Sequence, residues 1–193
     1  MSTLAQTDTR NLRTASGRDS RHATPDVYPC WVRVELVREQ QAPAFLGRPL
    51  RTSAATAAVL CPLLAREARE TMLALLLDAR ARPNAIHRVS LGGLEHCPCE
   101  PREAFQAAIL ADAAALILAH NHPSGDATPS MDDLTVTLRM ARAGALLGIP
   151  LRDDLVVGAD GWTSLHRDHP ELWAEVITRT PLQKRPIQNM RFP

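Results

Sequence analysis

The segment His120-Asn121-His122-Pro123-Ser124-Gly125-Asp126-Ala127-Thr128-Pro129-Ser130-Met131-Asp132-Asp133 concentrates side chains that can hold a metal ion. In extended chain, residues two apart point to the same side. His120 and His122 can therefore present both imidazoles to one point, and neutral imidazole is a common zinc ligand. Pro123 and Gly125 permit a tight reversal, and Ser130 can cap the helix that follows. Asp133 then falls in the first turn of that helix, whose positive end keeps a carboxylate ionised and able to bind metal. Two histidines and one aspartate leave a fourth tetrahedral position for water, the open site of a catalytic zinc.

Each of these residues also has a plainer explanation. A histidine at a strand end is commonly a satisfied polar residue, and Asp133 could be the acidic half of a capping box begun by Ser130. Their gathering around one Pro/Gly turn after an apolar strand favours the metal site. Cys97 and Cys99, beside His96, invite a second metal reading, but no further cysteine pair follows. Structural zinc sites usually combine two such pairs. The four cysteines are also too few and too irregular for a disulfide framework, so that segment reads as a loop with free thiols.

The elements that must position these groups can be read from the hydrophobic pattern. Residues 1–29 look like a polar, disordered tail, and 30–37 alternates like a half-buried strand. A helix is expected after Ser53 as N-cap, running to about Arg69, with Pro62 kinking or breaking it. Thr71 to Leu77 is an apolar run that suits a buried strand, and Ala85 to Leu91 can return beside it as a hairpin. Pro101 opens a helix to about Ala113, with Glu103 near its positive end. Ala114 to Ala119 reads as a short apolar strand, and 120–129 as a loop. Ser130 to Leu147 is a helix closed by Gly148. Strands at Leu155–Gly158 and Trp162–Leu165 and a last helix to about Ile177 complete a domain spanning 30–178. Residues 179–193 form a second tail. The order indicates a mixed β-sheet covered by helices, an α+β arrangement.

Composition narrows the function. The chain has 193 residues, a hydrophobic fraction of 45% and a formal net charge of +1. That suits one domain with a real core, and nothing in the charge calls for a nucleic-acid or membrane partner. The longest apolar stretch, Phe105 to Ala119, is interrupted by Gln106 and Asp112 and is too short to span a bilayer. The first residues lack the apolar block of a secretory signal. A soluble, cytoplasmic protein is the resulting expectation.

The motif His-x-His, ten residues, then Asp, with Ser three before that Asp, resembles the JAMM (MPN-plus) metalloprotease signature. More narrowly, HNHPSGDATPSMDD resembles the RadC family. So do Arg69-Glu70-Thr71-Met72 before LALLLD, then VSLGG, PREAFQAAILADAAALILAHNHPSG, ARAGALLGI and WTSL, in that order. The resemblance covers about Trp31 to Leu165. It implies a cytidine-deaminase-like core and a zinc ion held by His120, His122 and Asp133. It also implies a catalytic glutamate upstream of the histidines, which by position is Glu70, with Glu67 the weaker candidate inside the preceding helix. Two departures stand out. The helix-hairpin-helix module of long RadC proteins is not recognisable here, which weakens any inherited link to DNA. Asp153-Asp154 also stands where the family usually has Asp-His.

The implied reaction is hydrolysis of a peptide or isopeptide amide. Zinc would acidify a water molecule, Glu70 would take its proton and hand it to the leaving amine, and Ser130 would donate a hydrogen bond to the oxyanion. The partner would be a peptide or protein substrate, with 95–100 as candidate contacts. A zinc deaminase is a poor rival, because that class needs His-x-Glu followed by Pro-Cys-x-x-Cys. The other alternative is a non-catalytic zinc-containing module for DNA association or protein interaction, linked to DNA repair. The near-zero net charge and lack of a basic stripe count against it.

Overall fold

Two strands, β1 (Thr71–Leu77) and β3 (Ala115–Asn121), are buried at every position. Strands of that kind need cover on both faces of their sheet. The computed structural model describes residues 48–92 and 99–179. Within them the other strands are β2 (Pro83–Leu91), β4 (Leu151–Val157) and β5 (Trp162–Ser164). The helices are α1 (Ser53–Leu64), α2 (Pro101–Leu110), α3 (Met131–Leu147), α4 (Leu165–Asp168) and α5 (Glu171–Arg179). The sheet has the order β2-β1-β3-β4-β5. Antiparallel pairing joins β1 to β2 and β3, and β4 to β5, whereas β3 and β4 are parallel. A parallel pair needs a crossover, and α3 lies in it. This is the mixed sheet with flanking helices that the hydrophobic pattern indicates.

Alternation along β1 and β3 divides the core. Met72, Ala74, Leu76, Leu116 and Leu118 pack with Phe105 of α2 and Met140 of α3. Leu73, Leu75, Leu77, Ile117 and Ala119 pack with Leu60 and Leu64 of α1. His120 continues the first set two residues after Leu118, so it faces the α3 side.

Several boundaries differ from the sequence reading. Thr52, not Ser53, caps α1: its side chain accepts from the Ala55 N–H at 3.1 Å. Ser53 is the first helical residue, and its hydroxyl donates to Asp153 at 2.6 Å. Pro62 lies inside α1, which ends at Leu64 rather than near Arg69. Glu67 is therefore outside the helix, contrary to expectation. α2 stops at Leu110 instead of Ala113 because Asp112 turns left-handed (φ 52°) and the Ala113 N–H folds back to Ala108 O at 2.9 Å. That 6→1 bond is a helix-ending geometry.

β2 begins at Pro83, and β4 begins at Leu151 and ends at Val157, instead of covering Leu155–Gly158. The acidic pair Asp153-Asp154 hid the start of β4, yet both side chains are buried. β3 runs through His120 and Asn121, which had been expected in a loop, because they pair with Val156 and Val157 of β4. The expected strand at 30–37, the tail at 1–29, residues 180–193 of the tail expected from 179, Cys97 and residues 95–98 of the expected contact loop lie outside the described residues, whereas Arg179 closes α5. No helix among the described residues is long and apolar enough to cross a membrane.

Candidate metal centre

The cluster forms where the end of β3 meets the start of α3. His120 occupies the buried end of the strand and His122 the first position beyond it. The chain then reverses at once: the Gly125 N–H donates to His122 O at 2.9 Å, with Gly125 left-handed at φ 87°. Glycine suits that position because it carries no Cβ penalty there. Two further bonds fasten the turn to the end of β4, His122 N–H to Val157 O at 2.9 Å and Ala159 N–H to Gly125 O at 2.8 Å.

The capping box foreseen as the plainer explanation is present. Asp133 N–H donates to Ser130 Oγ at 3.2 Å, and Ser130 N–H donates to Asp133 Oδ2 at 2.7 Å. The Ser130 hydroxyl also donates to Oδ2, at 2.7 Å. Capping here does not compete with clustering. It locks the rotamer of Asp133 and turns Oδ1 towards His120.

The ligand atoms are closely grouped. His120 Nε2 lies 3.2 Å from His122 Nε2 and 3.1 Å from Asp133 Oδ1, and His122 Nε2 lies 3.4 Å from Oδ2. Ligands about 2.05 Å from one zinc ion, at tetrahedral angles, stand about 3.3 Å apart. His120, His122 and Asp133 therefore form a group able to hold a metal ion. His122 Nδ1 lies 2.8 Å from the Asp126 carbonyl. A carbonyl only accepts, so Nδ1 carries the proton and Nε2 of the neutral ring is free to bind a cation. The side chains of His122 and Asp133 are 18% and 12% exposed, against 1% for His120, so solvent reaches the cluster from their side.

Electrostatics agree with a cation site. Burial alone would raise the Asp133 carboxyl, but hydrogen bonds from His120 and His122 outweigh it and hold it well below the usual carboxylate range. The Asp133 carboxylate in turn raises His122 against the effect of burial, with help from the Asp126 carbonyl and the charge of Glu70. Glu70 lies two residues before Met72, the partner of His120 in the β1–β3 register, close enough for its charge to act on His122.

Asn121, between the two histidines, points the other way and holds the segment that carries Glu70. Its Oδ1 accepts from the Thr71 N–H at 2.9 Å, and its Nδ2 donates to the carbonyls of Glu67 at 3.2 Å and Arg69 at 3.1 Å. Glu67 itself turns outward to Arg88 at 3.5 Å. Sequence reasoning gave Asn121 no part, although strand alternation between two inward histidines was the available signal. Thr137 was also missed, although it lies one helical turn after Asp133. Its hydroxyl donates to the buried Asp154 at 2.6 Å. Desolvation pushes the Asp154 carboxyl up to about 6, against the pull of His120 and of Thr137.

A mixed five-stranded sheet flanked by helices, with two histidines and an aspartate converging at the end of its central strand, is consistent with a JAB/MPN-type domain. The sequence profile of the RadC-like JAB domain matches residues 50–170, and the chain belongs to that family. A UPF0758 protein of Thermosynechococcus vestitus is 41% identical over 137 residues, covering 68% of this chain and 54% of the relative. Another, from Desulforamulus reducens, is 44% identical over 97 residues, covering 50% of this chain and 43% of the relative. The chain thus spans about half the length of these curated relatives.

Proposed function

We propose that this protein is a zinc-dependent hydrolase of the JAMM type that cleaves a peptide or isopeptide amide in a peptide or protein substrate. The observation that carries the reading is the convergence of two imidazole nitrogens 3.2 Å apart on one carboxylate, with Oδ1 3.1 Å from His120 and Oδ2 3.4 Å from His122, on a side open to solvent. His120, His122 and Asp133 would hold the metal. Zinc supplies Lewis acidity, making a water molecule acidic enough to act as a nucleophile near neutral pH.

The remaining work falls to the chain. Glu70, whose charge acts on His122, accepts the proton of the attacking water and returns it to the leaving nitrogen. Asn121 holds the backbone on either side of Glu70, so the base is presented from a fixed segment. Ser130 has two duties that exclude one another at any instant. With its proton on Asp133 it steadies the ligand carboxylate. Rotating the O–H away frees it to donate to a developing oxyanion, while its oxygen still accepts from the Asp133 N–H.

Elemental analysis of the purified protein should find about one zinc per chain, lost in His122→Ala and Asp133→Ala. Screened against peptide and isopeptide substrates, the parent should turn over at least one. Glu70→Gln should keep its zinc and lose roughly 10²- to 10⁴-fold in rate. A Glu70→Gln protein as active as the parent would remove Glu70 from the mechanism.

A further inference from the structure

The two histidines of the cluster differ in how their outer nitrogens are treated. His122 Nδ1 has its carbonyl partner at 2.8 Å. His120 Nδ1 is buried and has no hydrogen-bond partner among the described residues, and the same is true of Asp154 Oδ1. These two orphan atoms face each other at 3.9 Å, in side chains that are each 1% exposed. Unpaired buried polar atoms are rare and costly. Two of complementary kind, left facing one another, describe an interaction rather than an accident. The gap is too long for a direct bond and too short for a bridging water, which would need about 4.5 Å. It closes with a shift of about 1 Å.

We propose that Asp154 is the outer partner of His120, receiving its Nδ1–H and so holding Nε2 as the nitrogen that faces the cation. Thr137 completes the device. Its hydroxyl occupies Asp154 Oδ2 at 2.6 Å, which leaves Oδ1 directed at the ring. α3 then supplies both Asp133, a direct ligand, and Thr137, the anchor of the outer carboxylate, one turn apart on one face. A carboxylate behind a metal-binding imidazole orients the ring and increases its basicity. Asp154 is thus a positioning residue acting through His120. The assignment rests on the metal reading above and adds to it the residue that sets the affinity of the site.

Zinc affinity is the discriminating readout, measured by competition with a chromophoric chelator in the full chain, beside the thermal midpoint of the zinc-free protein. Asp154→Ala should weaken zinc binding by roughly 10- to 100-fold. Asp154→Asn keeps an acceptor but no charge, and should weaken it less. Both zinc-free variants should melt at or above the parent, because a desolvated, half-paired carboxylate has been removed. A purely structural Asp154 predicts the reverse pattern, a lower melting point with unchanged affinity, and that result overturns the proposal. Should Asp154→Ala fail to fold, Asp154→Asn and Thr137→Val decide, and parental affinity in both overturns it. A parent protein that binds no zinc would defeat the metal reading itself, an outcome distinct from the first because it needs no variant to observe.

Discussion

At the scale of single residues, two of the three candidate ligands have a contact behind them that fixes their orientation. Asp133 is gripped by Ser130 and His122 by the Asp126 carbonyl, whereas Asp154 stands 3.9 Å behind His120, the gap that the proposed pairing would close. On the proposed metal reading, binding at this cluster depends on pH. In the zinc-free protein, Asp133 raises His122 above its ordinary value of 6.5. A cation at Nε2 must displace that proton, so affinity is complete above the folded-state pKa and falls as pH drops through it. The expected fall is about tenfold per pH unit for one displaced proton, and it begins above pH 6.5. Chelator competition between about pH 8 and about pH 5.5 reads this directly, and a flat affinity down to about pH 6 would contradict it. Stability of the zinc-free protein carries the opposite sign. His122 contributes fully below its unfolded pKa, and the contribution disappears as pH rises through the raised folded value.

Among elements, the critical junction is the packing of the His122 turn on the end of β4. A Cβ at Gly158 would lie 2.4 Å from Gly125 O and 2.8 Å from Ala127 N, both backbone atoms that cannot step aside alone. Gly158→Ala should therefore push the turn outward and carry the Asp126 carbonyl away from His122. The expected result is a loss of roughly 1–3 kcal/mol in urea unfolding of the zinc-free protein, together with weaker zinc binding. Gly161→Ala is the control, since nothing lies within 4 Å of a Cβ there. Equal stability of the two variants would show that the turn yields more easily than its backbone contacts imply. Beyond the end of α1, Asn121 holds the carbonyls of Glu67 and Arg69 on the path that leads Glu70 into β1.

For the whole molecule, the question is whether the metal holds the fold or the fold holds the metal. The two apolar clusters on either face of the sheet are built from β1, β3, β4 and the helices around them, so the sheet has a hydrophobic core on both faces apart from the candidate ligands. Small zinc modules unfold without metal because they lack such a core. Here the chelator-treated protein should keep its near-UV circular dichroism and a cooperative melt. Restoring zinc at about a hundredfold excess over its dissociation constant should add about 2.7 kcal/mol and raise the midpoint. Loss of tertiary signal on chelation would reverse this ordering and make the metal a structural element.

How much of this was legible without coordinates follows from the range of each interaction. His120, His122, Ser130 and Asp133 lie within fourteen residues, so local rules suffice: strand alternation, a Pro/Gly turn and a helix cap. The buried runs of β1 and β3 and the C-cap at Gly148 were equally open to pattern reading. The start of β4 was not, because Asp153 and Asp154 are acids that only burial among Ser53, Ser164, Thr137 and His120 makes compatible with a central strand. The path between α1 and β1 was equally hidden, because its carbonyls are held by Asn121, more than fifty residues away in sequence. The sequence by itself determined which atoms could bind a cation, since ligand chemistry and short spacing are written in residue types. Only the tertiary structure decided what stands behind those atoms, because Asn121, Thr137 and Asp154 take their partners from other elements, and long-range contact has no local signature.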